Sequence, residues 1–255
     1  MLYAAKSHTG LVRQMNQDSY AVHPIGNWTL AVVADGMGGA AAGEIASQMA
    51  AEVVVQEVER GLVAGTGPAT TLREAIQKAN HEIWTKSRSN VDYLGMGTTL
   101  VAALYTLDEV VVAHVGDSRA YRFHDGLLEQ VTRDHSLVAE LVRRGQITED
   151  EALHHPQRNV VTRSLGTSEW SDPEVYELAF APSDILLLCT DGLTNCVNGE
   201  ELAQNLAELD KDAQVLLQSH IDGIAERLVQ LTLDRGAPDN ISLILIAHRK
   251  EFGAK

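Results

Sequence analysis

Four aspartates stand where an apolar run begins or ends: Asp35 after LAVVA, Asp117 after VVVAHVG, Asp191 after ILLLCT and Asp239 before ISLILIA. Each reads as one carboxylate delivered to the end of a buried strand. Asp18, beside a short alternating segment, is a candidate fifth. Carboxylates gathered in a small space repel one another and take up protons unless a cation joins them. No Cys or His adjoins any of these aspartates, so oxygen-only ligation favours a hard ion, magnesium or manganese, over zinc or copper. Two such ions could share a water, lower its pKa and hold the resulting hydroxide for in-line attack on phosphorus, with no protein nucleophile. Gly36 opens a glycine-rich turn, GMGG, and could bring its main-chain carbonyl close to an ion. Arg13 offers a planar fork suited to phosphate oxygens. Arg13 and Asp18 read equally as a surface ion pair at a strand edge. Arg119, within GDSRAYR, pairs more simply with a nearby acid in the sheet.

Other chemistries are set aside on residue grounds. Of the two cysteines, Cys189 lies in an apolar run and reads as a core residue, and neither has an arginine six positions on, as a thiolate phosphatase needs. His154 and His155 precede Pro156 without a third ligand nearby and read as loop residues. The balance of 20 basic against 35 acidic residues, net −15, argues against a nucleic acid or an anionic membrane as partner. No run approaches the roughly 20 apolar residues of a spanning helix, and Met1 to Gly10 has no long apolar stretch, so a cytoplasmic protein is expected.

The elements that must position these residues follow from pattern. The spacing predicts a helix over 40–58 with Ile45, Met49, Val53 and Val58 inward. A second, capped by Thr71 and Glu74, runs to Arg88 with Ile76, Ala79, Ile83 and Trp84 on its apolar side. An antiparallel meander is expected at 98–105, 109–115, 119–124 and 127–131. Short helices are expected from Ser136 to Arg144 and after Thr148, capped with Glu151. Strands at 175–180 and 185–190 precede helices at 200–209 and 213–233 and a last strand at 241–247. Residues 1–250 read as a single domain, with a flap within about 137–172 and a charged tail at 251–255.

As a set, the motifs RQMNQDS (13–19), VVADGMGG (32–39), GTTLVA (97–102), VAHVGDSRAYR (112–122), TRDHS (132–136), LLLCTDGL (186–193) and APDNISLIL (237–245) resemble the metal-dependent PPM (type-2C) serine/threonine protein phosphatases in their bacterial form. The resemblance runs from Gly10 to Ala247. It implies an α+β fold, a four-layer αββα sandwich of two antiparallel sheets flanked by helix pairs, with metals in a cleft at one end. It implies a pair of Mn2+ or Mg2+ ions on Asp35, Asp191 and Asp239, with Asp35 bridging and Gly36 adding its carbonyl. A third, weaker ion would sit on Asp117 and Asp191. Arg13 would contact the substrate phosphate, and Asp18 would hold a metal-bound water. The implied reaction is direct attack of a metal-bridging water or hydroxide on phosphoserine or phosphothreonine. Implied partners are phosphorylated proteins, including a Ser/Thr kinase and its substrates, with the enzyme acting as a monomer. Two departures stand out: Met37 replaces the histidine that many eukaryotic members have as an acid, and Ala40, Ala41 and Ala42 follow DGMGG where many bacterial relatives carry histidine. A small-molecule phosphate ester as substrate, and a phosphopeptide-binding module without turnover, are the competing readings.

Overall fold

The structure, a computed structural model of the chain, describes residues 1–39, 42–211 and 216–248. Strands β1 (Leu2–His8), β2 (Asp18–Ile25) and β3 (Trp28–Met37) lead into helices α1 (Ala42–Val63) and α2 (Pro68–Ser87). The meander follows as β4 (Gly97–Thr98), β5 (Leu100–Tyr105), β6 (Glu109–Val115), β7 (Arg119–His124) and β8 (Leu127–Gln130). Two short helices, α3 (Leu137–Arg143) and α4 (Glu149–Leu153), precede β9 (Glu174–Ala179) and β10 (Ile185–Cys189). The chain continues through α5 (Asp191–Thr194), α6 (Gly199–Lys211), α7 (Gln218–Asp234) and β11 (Ile241–Ala247).

Two antiparallel sheets result, one in the order β1-β11-β10-β7-β8 and one in the order β2-β3-β5-β6-β9, with β4 alongside β3. Their central strands are buried along nearly their whole length, as in β5, β10 and β11, because both faces are covered. Leu30 and Val32 of β3 face α1 and α2, whereas Ala31 and Val33 face the other sheet. On β11, Leu243 and Leu245 pack under α6 and α7, while Ile244 and Ile246 meet the residues of the β2-β3-β5-β6-β9 sheet between the layers. This two-residue alternation produces four layers, the expected αββα sandwich.

Several boundaries differ from the sequence reading. Helix α2 starts at Pro68 with Gly67 as its N-cap, so Thr71 lies inside the helix and is buried, and the Thr71–Glu74 capping box does not form. Proline favours the first helical position, where no N–H is needed. The innermost stripe of α1 is Ala46, Ala50, Val54 and Val58, and Ile45 and Met49 pack only at its flank. Small residues let the helix lie close on β3. β1 carries one fully buried side chain, Ala4, and so lacked a strand signature. Helix α7 starts at Gln218 rather than 213. Ala40, Ala41 and the tail lie outside the described residues. The Thr148–Glu151 capping box forms as expected.

Candidate metal centre

Topology alone gathers the aspartates. Asp18 opens β2 and faces Asp35 across the β2–β3 pair. Asp191 follows β10, Asp239 precedes β11, and these strands run antiparallel, so both residues lie at the same end. Asp117 precedes β7, whose first residue, Arg119, pairs with Cys189 at the close of β10. Asp18, Asp117, Asp191 and Asp239 all act electrostatically on Asp35. Thr190 Oγ1 donates to Asp18 Oδ2 at 3.0 Å, a hydrogen bond that links the two sheets at this end.

The main chain around these groups is held by neighbours that the sequence reading gave no role. Asp35 N–H donates to Thr99 Oγ1 (3.1 Å), and the Asp35 carbonyl accepts from Thr98 Oγ1 (2.8 Å) and Thr99 N–H (2.9 Å). Thr99 Oγ1 also meets Ser118 Oγ at 2.7 Å, linking GTT to GDS. Asn240 ties the β1–β2 loop to the start of β11: its Nδ2 donates to the carbonyls of Thr9 (2.8 Å) and Met15 (2.9 Å), and its Oδ1 accepts from Gln17 N–H (2.8 Å). The position of Asn240 directly after Asp239 was the only available signal, because its partners lie more than 220 residues away in the chain. Gly36 has no room for a side chain, since a Cβ there would lie 2.1 Å from the Gly43 carbonyl oxygen.

The electrostatics are those of a site short of positive charge. Burial pushes Asp18 up to about 7, with Asp191 and Asp239 adding to the rise and the hydroxyls of Ser242 and Thr190 opposing it. Asp117 is likewise pushed up to about 7 by burial and by Asp191. Asp35 is raised well above the usual carboxylate range, first by burial and then by the other four. Asp191 is raised by burial and by Asp239. Arg13 Nη2 donates to Asp239 Oδ2 at 2.8 Å, a contact that raises the guanidinium's pKa, and about half of the Arg13 side chain remains exposed. Arg119 is not free to assist: its Nε and Nη2 grip Asp134 and its Nη1 reaches Tyr121 Oη.

A direct observation tests whether a cation fits. Asp18 Oδ1 and Asp191 Oδ1 are buried with no hydrogen-bond partner, an arrangement that is costly unless something outside the chain completes it. Oxygen donors crowded in this way suit a hard divalent ion. Among the described residues, a histidine cluster lies apart from these aspartates: His114, His135 and Glu174 bring ligand atoms within 4.8 Å of one another, behind the Gly116–Asp117 turn. Cys189 is a core residue, its thiol pushed up to about 12 by burial.

Residues 7–231 match the sequence model of the protein phosphatase 2C family. The chain belongs to that family. The phosphatase is 37% identical over 244 residues to a serine/threonine phosphatase of Listeria monocytogenes, covering 94% of this chain and 93% of the relative. Its fold matches the serine/threonine phosphatase PstP/Ppp of Mycobacterium tuberculosis with a TM-score of 0.83 at 34% identity, over 97% and 98% of the two chains. It also matches the catalytic domain of PstP in complex with two manganese ions, with a TM-score of 0.78 at 34% identity, over 95% and 96%. The enzyme class is thereby serine/threonine protein phosphatase, a metal-binding hydrolase.

Proposed function

We propose that this phosphatase removes phosphate from phosphoserine and phosphothreonine in proteins, using manganese or magnesium held by Asp35, Asp191 and Asp239. In this reading Asp35, with the Gly36 carbonyl, would be shared by two ions, and Asp117 with Asp191 would hold a third, weaker one. When bound, such ions lower the pKa of a water and offset the charge that develops on the phosphoryl oxygens. The chain's own residues supply orientation. Arg13, held at one nitrogen by Asp239, turns the rest of its fork toward the incoming phosphate. Asp18 presents an unpartnered oxygen that can accept a proton from an ordered water. Met37 has no proton to give, so a water or another group must protonate the departing serine or threonine alkoxide oxygen.

The observation that carries this reading is the pair of orphaned carboxylate oxygens on Asp18 and Asp191, brought together from opposite sheets. Its substrates are phosphoproteins, among them a Ser/Thr kinase and the proteins that kinase modifies, met in the cytoplasm by the monomeric enzyme. The segment 137–172 tunes which of them are accepted, and a substituent at Ala40 bears on the same choice. The test is phosphate release from phosphopeptides in manganese, against small phosphate esters. Activity that requires the metal and is lost in Asp239→Ala supports the reading. Inactivity in both manganese and magnesium, or a fully active Asp239→Ala, overturns it. Tight phosphopeptide binding without release would identify a binding module instead.

A further inference from the structure

Behind the Gly116–Asp117 turn lies a polar cluster that the reaction does not use. His135 is 3% exposed, and all four of its polar groups are engaged. Its N–H donates to the Gly116 carbonyl (3.0 Å), and its carbonyl accepts from Thr162 N–H (2.7 Å). Its Nδ1 accepts from Gly116 N–H (3.1 Å), and its Nε2 meets Glu174 Oε1 at 3.2 Å. Glu174 in turn accepts from Tyr176 Oη (2.6 Å) and lies 3.5 Å from Arg163 Nη1. His114 stacks on His135 with ring centroids 4.6 Å apart.

The cluster has the residue types of a metal site, but its protons are already placed. A backbone N–H can only donate, so His135 Nδ1 is the lone-pair nitrogen and Nε2 carries the proton that Glu174 receives. His114 Nε2 similarly donates to the Arg133 carbonyl at 2.9 Å. Only His114 Nδ1 and the carboxylate keep a lone pair for an ion, fewer than a protein metal site requires. Burial pushes His114 down to about 4 and lowers His135 as well.

What remains is a mechanical link with two arms. One arm holds Gly116, whose φ of +112° and close approach to Thr99 leave no space for a Cβ. The other reaches Glu174 and through it Arg163, just past the point where Ser136 bridges Val161 at the root of the segment 137–172. We propose that His135 is a positioning residue that sets the presentation of Asp117 and the seating of this segment together, one through Nδ1 and the other through Nε2–H. The inference rests on the reading of Asp117 as an ion ligand given above.

Two near-isosteric variants separate the arms. His135→Asn keeps an acceptor at the δ position and loses the reach to Glu174, whereas His135→Gln keeps a donor at the ε position and loses the acceptor for Gly116 N–H. The readouts are Mn2+ titration by calorimetry, amide exchange at residues 160–163, and KM and kcat for a phosphopeptide. In His135→Gln the weakest Mn2+ step is expected to weaken roughly 10-fold, as when support for a ligand is removed, with exchange at 160–163 unchanged. In His135→Asn that Mn2+ step is expected to match wild type, with faster exchange at 160–163 and a raised KM at constant kcat. Glu174→Gln is expected to reproduce the His135→Asn pattern. Variants that match each other in every readout, whether altered or as wild type, overturn the proposal. A wild-type protein that takes up no Mn2+ contradicts the proposed function instead, and exchange at 160–163 still reports on the Glu174 arm.

Discussion

Strand β10 has an aspartate at each end, and the two could hardly be placed more differently. Asp184, just before the strand, is 1% exposed and fully provided for: Arg122 donates from Nε and Nη2 (3.0 and 2.7 Å), His124 Nδ1 lies 2.5 Å away, and Ala181 N–H donates at 2.9 Å. Asp191, just after the strand, receives Asn195 Nδ2 at 3.0 Å on one oxygen and nothing on the other, and its neighbours are further carboxylates. Six residues separate two acids of the same type, one buried and one half-buried. Burial therefore does not mark the functional one. An acid whose partners are all supplied by the chain is structural, and an acid left short of partners is arranged for something the chain lacks.

Substitutions at the two ends should break different properties. Asp184→Ala leaves the half-buried Arg122 without its carboxylate and is expected to cost about 3–5 kcal/mol in stability, read by urea unfolding, with kcat per folded molecule unchanged. Asp191→Asn is expected to lower kcat at least about 100-fold, the scale of removing one preorganised charged group, while the metal-free protein unfolds no earlier than wild type. An Asp191→Asn protein that is active but unstable would erase the contrast. Arg13→Ala removes a charge-assisted contact to the phosphoryl group and is expected to lower kcat/KM roughly 10- to 100-fold, with Arg13→Lys recovering part of it. Steady-state kinetics on one phosphopeptide checks both.

The smallest effect is graded with pH. Asp18 and Asp117 sit at about 7 in the folded chain, against about 3.9 for an unfolded aspartate. A carboxyl raised on folding contributes stability below the unfolded pKa, and that contribution is lost as pH rises through the folded value. Metal-free protein is expected to lose stability between about pH 4 and 7, and Mn2+ to restore it by displacing the protons. Thermal unfolding with chelator and with Mn2+ across that range measures both slopes. A chelated protein that grows more stable over the same interval would contradict the crowding of acids at this end.

The difference between the two ends also explains what could be read from the sequence. Asp35, Asp117, Asp191 and Asp239 were legible because each adjoins an apolar run, and a strand's end is a place that local pattern specifies. That Arg119 is taken by an acid was legible too, although that acid, Asp134, lies in the segment between β8 and α3 and not in the sheet. The roles of Asn240, Thr99 and His135 leave no local signature, since their work consists of hydrogen bonds to residues 19 to 231 positions away. β1 was missed because its alternation is shallow, with one buried side chain in seven. The start of α2 was misplaced because Thr71 and Glu74 mimic a cap that Pro68 pre-empts three residues earlier. Periodicity reports what a segment buries, and partnership across the chain leaves no periodic trace.

The most direct measurement is an anomalous difference map from crystals soaked in Mn2+. Two strong peaks are predicted among Asp35, Asp191 and Asp239, with none at Asp184. Peaks absent from the Asp35 end, with those carboxylates hydrogen-bonded only to the protein, would contradict the account.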